Sequence, residues 1–350
     1  AYGYVKEVFP TASILKLGWA LPYPDALIRE FAGSVERLVI VEENEDILEE
    51  HVRAMGFACS GRDLISGVGE LSVPKLLTLR DRLDDAKKSE SYTVPAPVAD
   101  AADLPARPPV LCPGCPHRGL FFELGKHDVL VTGDIGCYSL AVFPPLSRTD
   151  TILCMGGGFS VAQGIDKAGE KRRVVGIVGD STFFHSGITG MLDVVYNKGK
   201  SVLVVLDNRT TAMTGHQDHP GTGTTLMGEP TTAVSIEEVG RACGMKKVAT
   251  VNPYNLKETE KAVSEALAFG ETSLIVTRAP CPLRTREPVG NRRTIDGSKC
   301  KSCLACVKLG CPAIEVTEKG KKPAINEELC AGCNLCEQVC AFSAIAEVSK

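Results

Sequence analysis

Residues 174–210 read VVGIVGDSTFFHSGITGMLDVVYNKGKSVLVVLDNRT, and this stretch decides the fold. It opens on the apolar run Val174-Val-Gly-Ile-Val178 and closes on Ser201-Val-Leu-Val-Val-Leu206, with a helical stretch from Gly187 to Asn197 between them. Short β-branched runs bounded by turn residues are the pattern of buried strands, and strand, helix, strand in succession makes a parallel unit. Further strand candidates lie at Val129-Leu-Val-Thr132, Thr151-Ile-Leu-Cys154 and Ser273-Leu-Ile-Val-Thr277, with helical stretches at Phe159 to Ala168 and Leu256 to Phe269. The alternation predicts an α/β fold, a doubly wound parallel sheet over residues 110–290. Ligands of such sheets sit at the carboxyl ends of the strands, so the loops after Thr132, Cys154, Val178 and Leu206 form the candidate site.

Outside that sheet the pattern changes three times. Residues 1–80 read as a partial α/β domain. They contain an apolar run at Arg37-Leu-Val-Ile-Val41 and helical spacing from Glu42 to Met55. Leu21-Pro-Tyr-Pro-Asp25 opens a helix. The first element, Tyr2 to Val8, is a helix with no strand before it, so its leading strand is expected outside this chain. Residues 81–109 lose the apolar face and read as a linker rich in Ala, Asp, Lys and Pro. Residues 291–350 carry two similar units, CKSCLACVKLGCPAIEV and CAGCNLCEQVCAFSAIAEV, an internal duplication.

The chain of 350 residues, 44% hydrophobic and 23% charged, has an ordinary globular composition, which excludes general disorder. Its net charge of -4 provides no basic excess for a nucleic-acid role. No apolar run is long enough for a membrane helix, and AYGYVKEVFP has no signal-peptide character, so a cytoplasmic protein is expected. The unusual number is 15 Cys, crowded toward one end, which points to metal rather than disulfides.

In the duplicated segment, Cys300, Cys303 and Cys306 are followed by Cys311, and Cys330, Cys333 and Cys336 by Cys340. Three thiolates at this spacing can close around three irons of a cube, while the fourth Cys of each run reaches the other cube. The predicted sets are Cys300, Cys303, Cys306 with Cys340, and Cys330, Cys333, Cys336 with Cys311. Two zinc sites are the alternative, although zinc sites usually pair two short CxxC units. The first run has four residues before Cys311 instead of three, and Ala341 stands where Pro is usual. The segment resembles bacterial two-cluster ferredoxins, which implies a small α+β domain carrying single electrons at low potential.

In the sheet domain, Asp180 follows one strand and Asn208 the next. A carboxylate and an amide oxygen at neighbouring strand ends can share an octahedral Mg2+ with diphosphate oxygens, and Gly179 lets the backbone approach phosphates. A capped turn is the alternative. The 28-residue separation resembles the GDG…N signature of thiamine diphosphate enzymes, with Ser181 in place of the second Gly. That resemblance implies side-chain oxygens from Asp180 and Asn208 and a carbonyl from Thr210. A second loop, Met155-Gly156-Gly157-Gly158 leading into Phe159, is expected to bring backbone N–H groups to the cofactor.

Four dispersed cysteines complete the pattern. Cys112 and Cys115 open the sheet domain, Cys137 follows the strand Val129 to Thr132, and Cys281 follows Ser273 to Thr277. They can converge on the same rim to hold a third cluster, the alternative being a redox or zinc CxxC with two unrelated thiols. Cys59, Cys154 and Cys243 are expected to be small buried hydrophobes.

Taken together, CPGCPHRG, GDIGCYSL, GGGFSVAQG, GDSTFFHSGITG, DNRTTAMTGHQDHPGTG and the double cysteine run resemble the alpha subunits of indolepyruvate ferredoxin oxidoreductases, in the 2-oxoacid:ferredoxin oxidoreductase superfamily. The likeness runs from about Ala12 to the C-terminus. It implies a proximal cluster on Cys112, Cys115, Cys137 and Cys281, three 4Fe-4S clusters in all, and thiamine diphosphate with Mg2+ near Gly136, Gly156 to Phe159, Gly179, Asp180, Ser181, Asn208 and Thr210. It also implies oxidative decarboxylation of an aryl 2-oxoacid to an acyl-coenzyme A in an anaerobic setting, with electrons passing to an external ferredoxin. The same superfamily acts on other 2-oxoacids such as pyruvate or phenylglyoxylate, and a non-catalytic electron-transfer subunit is the alternative of another class. Four histidines, His117, His185, His216 and His219, lie in motifs around the rim. His185 and His216 are ranked first as catalytic groups, with Arg209 as a partner for diphosphate or substrate carboxylate. The pyrimidine-binding domain and its catalytic Glu are expected from another part or chain, alongside a beta- or gamma-type subunit.

Overall fold

The computed structural model describes residues 1–19, 21–83, 108–316 and 322–348. The expected linker at 81–109 lies almost wholly outside the described residues. The chain divides into two compact units, Ala1–Ala106 and Arg107–Lys350.

The first unit is built from helices α1 (Tyr2–Val8), α2 (Asp25–Gly33), α3 (Ile47–Ala54) and α4 (Val73–Leu83). Val8, Ile65, Leu71, Leu76 and Leu79 form one buried cluster, and Ile28, Ile40 and Val52 a second. Helix α3 is shorter than its apolar spacing suggests. The Glu42 carboxylate accepts the backbone N–H groups of Leu48 and Glu49 at 2.9 and 3.0 Å, so Glu42 caps the first turn from outside the helix. The apolar run at 37–41 makes a single parallel bridge, Val39 to Ser60, rather than a full strand.

The second unit contains helix α5 (His117–Leu124) and six parallel strands: β1 (Val129–Gly133), β2 (Thr151–Ile152), β3 (Arg173–Gly179), β4 (Val202–Asp207), β5 (Val248–Val251) and β6 (Ser273–Arg278). Helices α6 (Gly157–Lys167), α7 (Asp180–Thr182), α8 (Ile188–Tyr196), α9 (Ile236–Ala242), α10 (Leu256–Ala268) and α11 (Pro282–Thr285) connect or follow them. The sheet order is β2-β1-β3-β4-β6-β5, all neighbours parallel, as the alternation predicts. Strand β5 is an element the sequence pattern does not announce; its residues Val248, Ala249 and Thr250 are half-buried or exposed at the sheet edge. In β4, Val202, Val204 and Leu206 join α5 and α10 in one core layer, while Leu203 and Val205 join α6, α8 and α9 in the other. That period of two on a fully buried strand is why β4 reads as a continuous apolar run.

Helix α6 lies close against β3. A Cβ on Gly158 would fall on the Ile177 carbonyl, and one on Gly176 would come 2.9 Å from the Gly158 carbonyl oxygen. Beyond α11 the chain forms two antiparallel pairs. β7 (Arg293–Ile295) pairs with β10 (Ile345–Glu347) and β8 (Ile314–Glu315) with β9 (Ala324–Ile325), with helix α12 (Leu335–Gln338) before β10. Leu309 and Leu335 of this segment bury against Leu256 of α10, so it packs on the sheet unit.

The expectation that the three spare cysteines are buried is corrected: none is fully buried. Cys154 is exposed, because β2 ends at Ile152 and the edge chain leaves the sheet before reaching it; Cys59 and Cys243 are half-buried beside apolar clusters. Among the described residues no helix is long and apolar enough to cross a membrane.

The Gly158 contact is testable. Gly158→Ala forces a Cβ onto immovable backbone and lowers the free energy of unfolding by about 1–3 kcal/mol. Gly164→Ala, on an exposed part of α6 with nothing within 4 Å, raises it by roughly 0.5–1 kcal/mol. Denaturant titration of the pair separates crowding from helix propensity.

Candidate functional site

The chain winds outward from β1 to β2 and then returns to β3 and β4, so the loops after β1 and β3 part from a crevice at the carboxyl edge of the sheet. A cavity opens there. Ile135, Gly136 and Cys137 line it from the β1 loop, Gly179 to Thr182 from β3, and Asn208 and Thr210 to Thr214 from β4. His117, Tyr138 and Met155 complete its walls with Leu206.

Register explains the meeting of Asp180 and Asn208. Gly179 of β3 pairs with Leu206 of β4, so the residues just beyond each strand end lie side by side. The Thr210 N–H points between Asp180 Oδ2 and Asn208 Oδ1, at 3.3 Å from each. Both side chains are buried, and two hard oxygen donors thus converge on one spot. Such a pair suits Mg2+, which binds few protein oxygens and keeps positions for phosphate and water. Asp180 Oδ1 also accepts the Ser181 N–H at 2.8 Å.

Two histidines touch this pair. His219 is buried and its Nδ1 accepts the Gly221 N–H at 3.2 Å. The ring proton is therefore assigned to Nε2, which donates to Asp180 Oδ2 at 3.0 Å. His117, the first residue of α5, places Nε2 3.5 Å from Asn208 Nδ2; burial pushes its pKa down to about 4, against the pull of Asp180, so the ring is neutral. His185 and His216, ranked first from sequence, stand differently. His185 is exposed on the π-turn Phe183–Gly187, and His216 sits at a positive φ of 64° with Nδ1 buried and unpaired. The Arg209 guanidinium lies 3.6 Å from Asp207, and its backbone N–H also donates to that carboxylate.

The glycine loop is held by internal contacts. Gly156 adopts a positive φ of 85° and donates its N–H to Asp134 Oδ2 at 2.7 Å, while Gly157 donates to the Cys154 carbonyl at 2.9 Å. Gly158 and Phe159 pack α6 on the sheet, and Phe159 is fully buried. Of this loop only Met155 lines the cavity.

Asp134 and Tyr138 were not singled out from sequence, yet they join three parts of the site. Tyr138 donates its hydroxyl hydrogen to Asp134 and accepts the Gly179 N–H at 2.8 Å, so the ends of β1 and β3 and the glycine loop are fastened together. Asp134 follows Gly133 at a strand end as Asp180 follows Gly179, and that parallel was the available signal.

The cysteines assemble in three places. Cys112, Cys115, Cys137 and Cys281 are close enough that burial and then the neighbouring thiols raise the pKa of Cys137, and burial pushes Cys115 up to about 12. Cys137 lines the cavity of Asp180 and Asn208, and the Cys281 N–H donates to the Asn208 carbonyl at 3.0 Å. A second cavity is lined by Cys311, Cys330, Cys333 and Cys336, and a third by Cys300, Cys303, Cys306 and Cys340. Each run therefore sends its fourth thiol to the other run's cavity. Burial pushes Cys336 up to about 12, with Cys333, Cys311 and Cys330 adding to the effect. Among the described residues, no three His, Cys, Asp or Glu side chains converge as tightly as a single metal ion requires.

Residues 134–277 match the family model for the C-terminal TPP-binding domain of thiamine pyrophosphate enzymes. Over its full length the chain is 38% identical to the indolepyruvate oxidoreductase subunit IorA of Methanothermobacter thermautotrophicus and 37% identical to that of Pyrococcus horikoshii. It spans 59% of the length of each. Among solved structures, a 2-oxoglutarate:ferredoxin oxidoreductase from Magnetococcus marinus is 21% identical over 50% of this chain and 65% of that one, with a TM-score of 0.45.

Burial of Asp134 has a consequence for pH. Desolvation pushes its pKa up to about 6, outweighing the hydrogen bonds from Tyr138 and Gly156 that favour the anion. A carboxyl group whose folded pKa is raised contributes stability at low pH and loses it as pH rises through the folded value. The unfolding free energy of the wild type is expected to fall relative to Asp134→Asn between about pH 4 and 6, by roughly 3 kcal/mol at most, and to run parallel above that range. Denaturation curves for the two proteins across this range check it.

Proposed function

Because residues 134–277 belong to the TPP-binding domain family of thiamine pyrophosphate enzymes and the chain as a whole is a relative of the IorA subunits of indolepyruvate oxidoreductase, we propose that it is the cofactor-binding and electron-relaying part of a 2-oxoacid:ferredoxin oxidoreductase. Its substrate is an aryl 2-oxoacid of the indolepyruvate type, its products an acyl-coenzyme A and CO2, and its electron acceptor a ferredoxin. The observation that carries this proposal is one cavity lined both by Asp180, Asn208 and Thr210 and by Cys137. A diphosphate–magnesium site has no need of a thiol group beside it unless electrons leave by that route.

Thiamine diphosphate supplies the decarboxylation chemistry when bound, and iron–sulfur clusters accept electrons singly. The chain's own residues hold and orient these groups. Asp180, Asn208 and the Thr210 carbonyl would hold Mg2+, and His219 fixes the Asp180 carboxylate through its Nε2 hydrogen bond. Gly136, Gly179 and Ser181 line the cavity and would face the diphosphate. Neutral His117 is close enough to the metal pair to hold or accept a proton there. Cys112, Cys115, Cys137 and Cys281 hold the proximal cluster, and the two crossed sets hold the others. Buried thiols that raise one another's pKa resist ionising alone, so they suit positions where iron offsets the thiolate charge. The relatives are named as subunits, which supports a partner chain; the pyrimidine-binding part with its Glu is assigned to the portion of the enzyme beyond these residues.

Anaerobically purified protein with its partner should contain about twelve iron, from three four-iron clusters, and bound thiamine diphosphate. Asp180→Ala should lose the thiamine diphosphate and Mg2+ while keeping the iron, whereas Cys333→Ser should lose about four iron and keep the thiamine. About eight iron without thiamine would instead mark an electron carrier. Ferredoxin reduction with indolepyruvate, phenylpyruvate and pyruvate in parallel identifies the substrate. Pyruvate outperforming both aryl acids would sink the aryl assignment.

A further inference from the structure

Arg118 in α5 is a buried cation with no acidic partner. It is 2% exposed, and among the described residues no carboxylate lies within ion-pair distance. Its Nη2 donates to the carbonyls of Leu111 and Cys112 at 2.8 and 3.0 Å, its Nη1 donates to the Leu309 carbonyl at 2.6 Å, and its Nε has no acceptor. Carbonyls satisfy hydrogens but not net charge. A guanidinium stays charged at any accessible pH, and a buried charge without compensation is costly. Something anionic belongs beside it.

The neighbours are thiols of two different sets. Arg118 lines the cavity of Cys311, Cys330, Cys333 and Cys336, and its hydrogen bond to Leu309 holds the backbone two residues before Cys311. On its other side it holds the carbonyl of Cys112 itself. The cavity of Cys300, Cys303, Cys306 and Cys340 is lined instead by the exposed Lys301 and lies outside this arrangement.

We infer that Arg118 is a positioning residue shared by two redox sites. Its guanidinium bridges the Cys112 loop and the Leu309–Cys311 turn, and offsets the negative charge of the clusters held on either side. This rests on the proposed function, since the anions it compensates are those clusters. A cluster on four thiolates becomes more negative when it takes up an electron, and a fixed positive charge nearby favours that reduced form. One residue would thereby raise the potentials of two adjoining sites together and leave the third to its solvent-facing surroundings.

The test is a redox titration, followed by electron paramagnetic resonance, of anaerobic holoprotein carrying Arg118→Gln or Arg118→Lys. Signals are assigned by their loss in Cys137→Ser, Cys333→Ser and Cys303→Ser. In Arg118→Gln the midpoint potentials of the Cys137 and Cys333 sites are expected to move to more negative values while the Cys303 site stays in place. Arg118→Lys, which keeps the charge, is expected to move them less. Potentials unmoved in iron-replete Arg118→Gln, or all three displaced equally, overturn the inference while the proposed function stands. If Arg118→Gln cannot retain iron but Arg118→Lys retains it with near-wild-type potentials, the charge is the required feature and the inference holds. If Arg118→Lys loses the same iron, the fork of hydrogen bonds and not the charge is what matters, and the inference fails. A wild-type protein without iron overturns both.

Discussion

Parallel pairing of β3 with β4 is the constraint on which the site depends. The register Gly179 to Leu206 ends both strands at the same level, so the chain must turn away at neighbouring points on one edge. Asp180 then stands beside the Asp207–Asn208 step, and the Thr210 N–H is left between two side-chain oxygens. A one-residue slip would turn the side chains of β4 to the opposite faces, exchanging its two core layers as well as separating the oxygen donors. The same residues that fill the core with Val202 to Leu206 therefore locate the two oxygen donors.

Around that pair the structure buries three carboxylates, and each has a partner that limits its freedom. Asp180 is held by His219, Asp134 by Tyr138 and Gly156, and Asp207 by Arg278, whose guanidinium continues to Glu237. These links join four of the six strand ends without using regular secondary structure. Such networks favour a single arrangement when every member is satisfied. Asp134 retains a raised pKa despite two hydrogen bonds, which shows that desolvation exceeds local bonding at the β1 end.

How much of this was legible in the sequence varied with the physics involved. Strands β1, β3, β4 and β6 were readable because buried parallel strands are continuous apolar runs, whereas β5 was not, being half-exposed at an edge. Asp180 and Asn208 were readable from their positions after strands. The two terminal thiol sets were readable because local spacing almost determines which side chains share a cavity. The contacts of the glycine loop are not legible locally: whether a backbone N–H is free depends on who else accepts it, and Asp134 takes that of Gly156. The surroundings of the histidines are likewise set by contacts that local sequence does not show. All four lie in motifs around the rim, and only the folded loop decides that His219 and His117 face the oxygen pair while His185 faces outward.

The exchange of Cys311 and Cys340 between the two cavities makes the cysteine-rich segment a single cooperative object. Neither cavity is completed by one run alone, and the pairing of β7 with β10, which brings Ile295 to Ile345, holds the two ends of the segment together next to Cys300 and Cys340. The segment is small, and its described strands are only two or three residues long, too short to be stable by themselves. Its stability draws on the surface it covers: Leu309 and Leu335 bury against α10, and Gln338 accepts the Leu256 N–H at 3.0 Å. Packing this segment on α5 and α10 also sets the second thiol cavity beside the Cys112 loop. The contact that buries Leu309 and Leu335 is thus the contact that sets the second thiol cavity beside the Cys112 loop, and a change that loosened it would be felt in both stability and the spacing of the thiols.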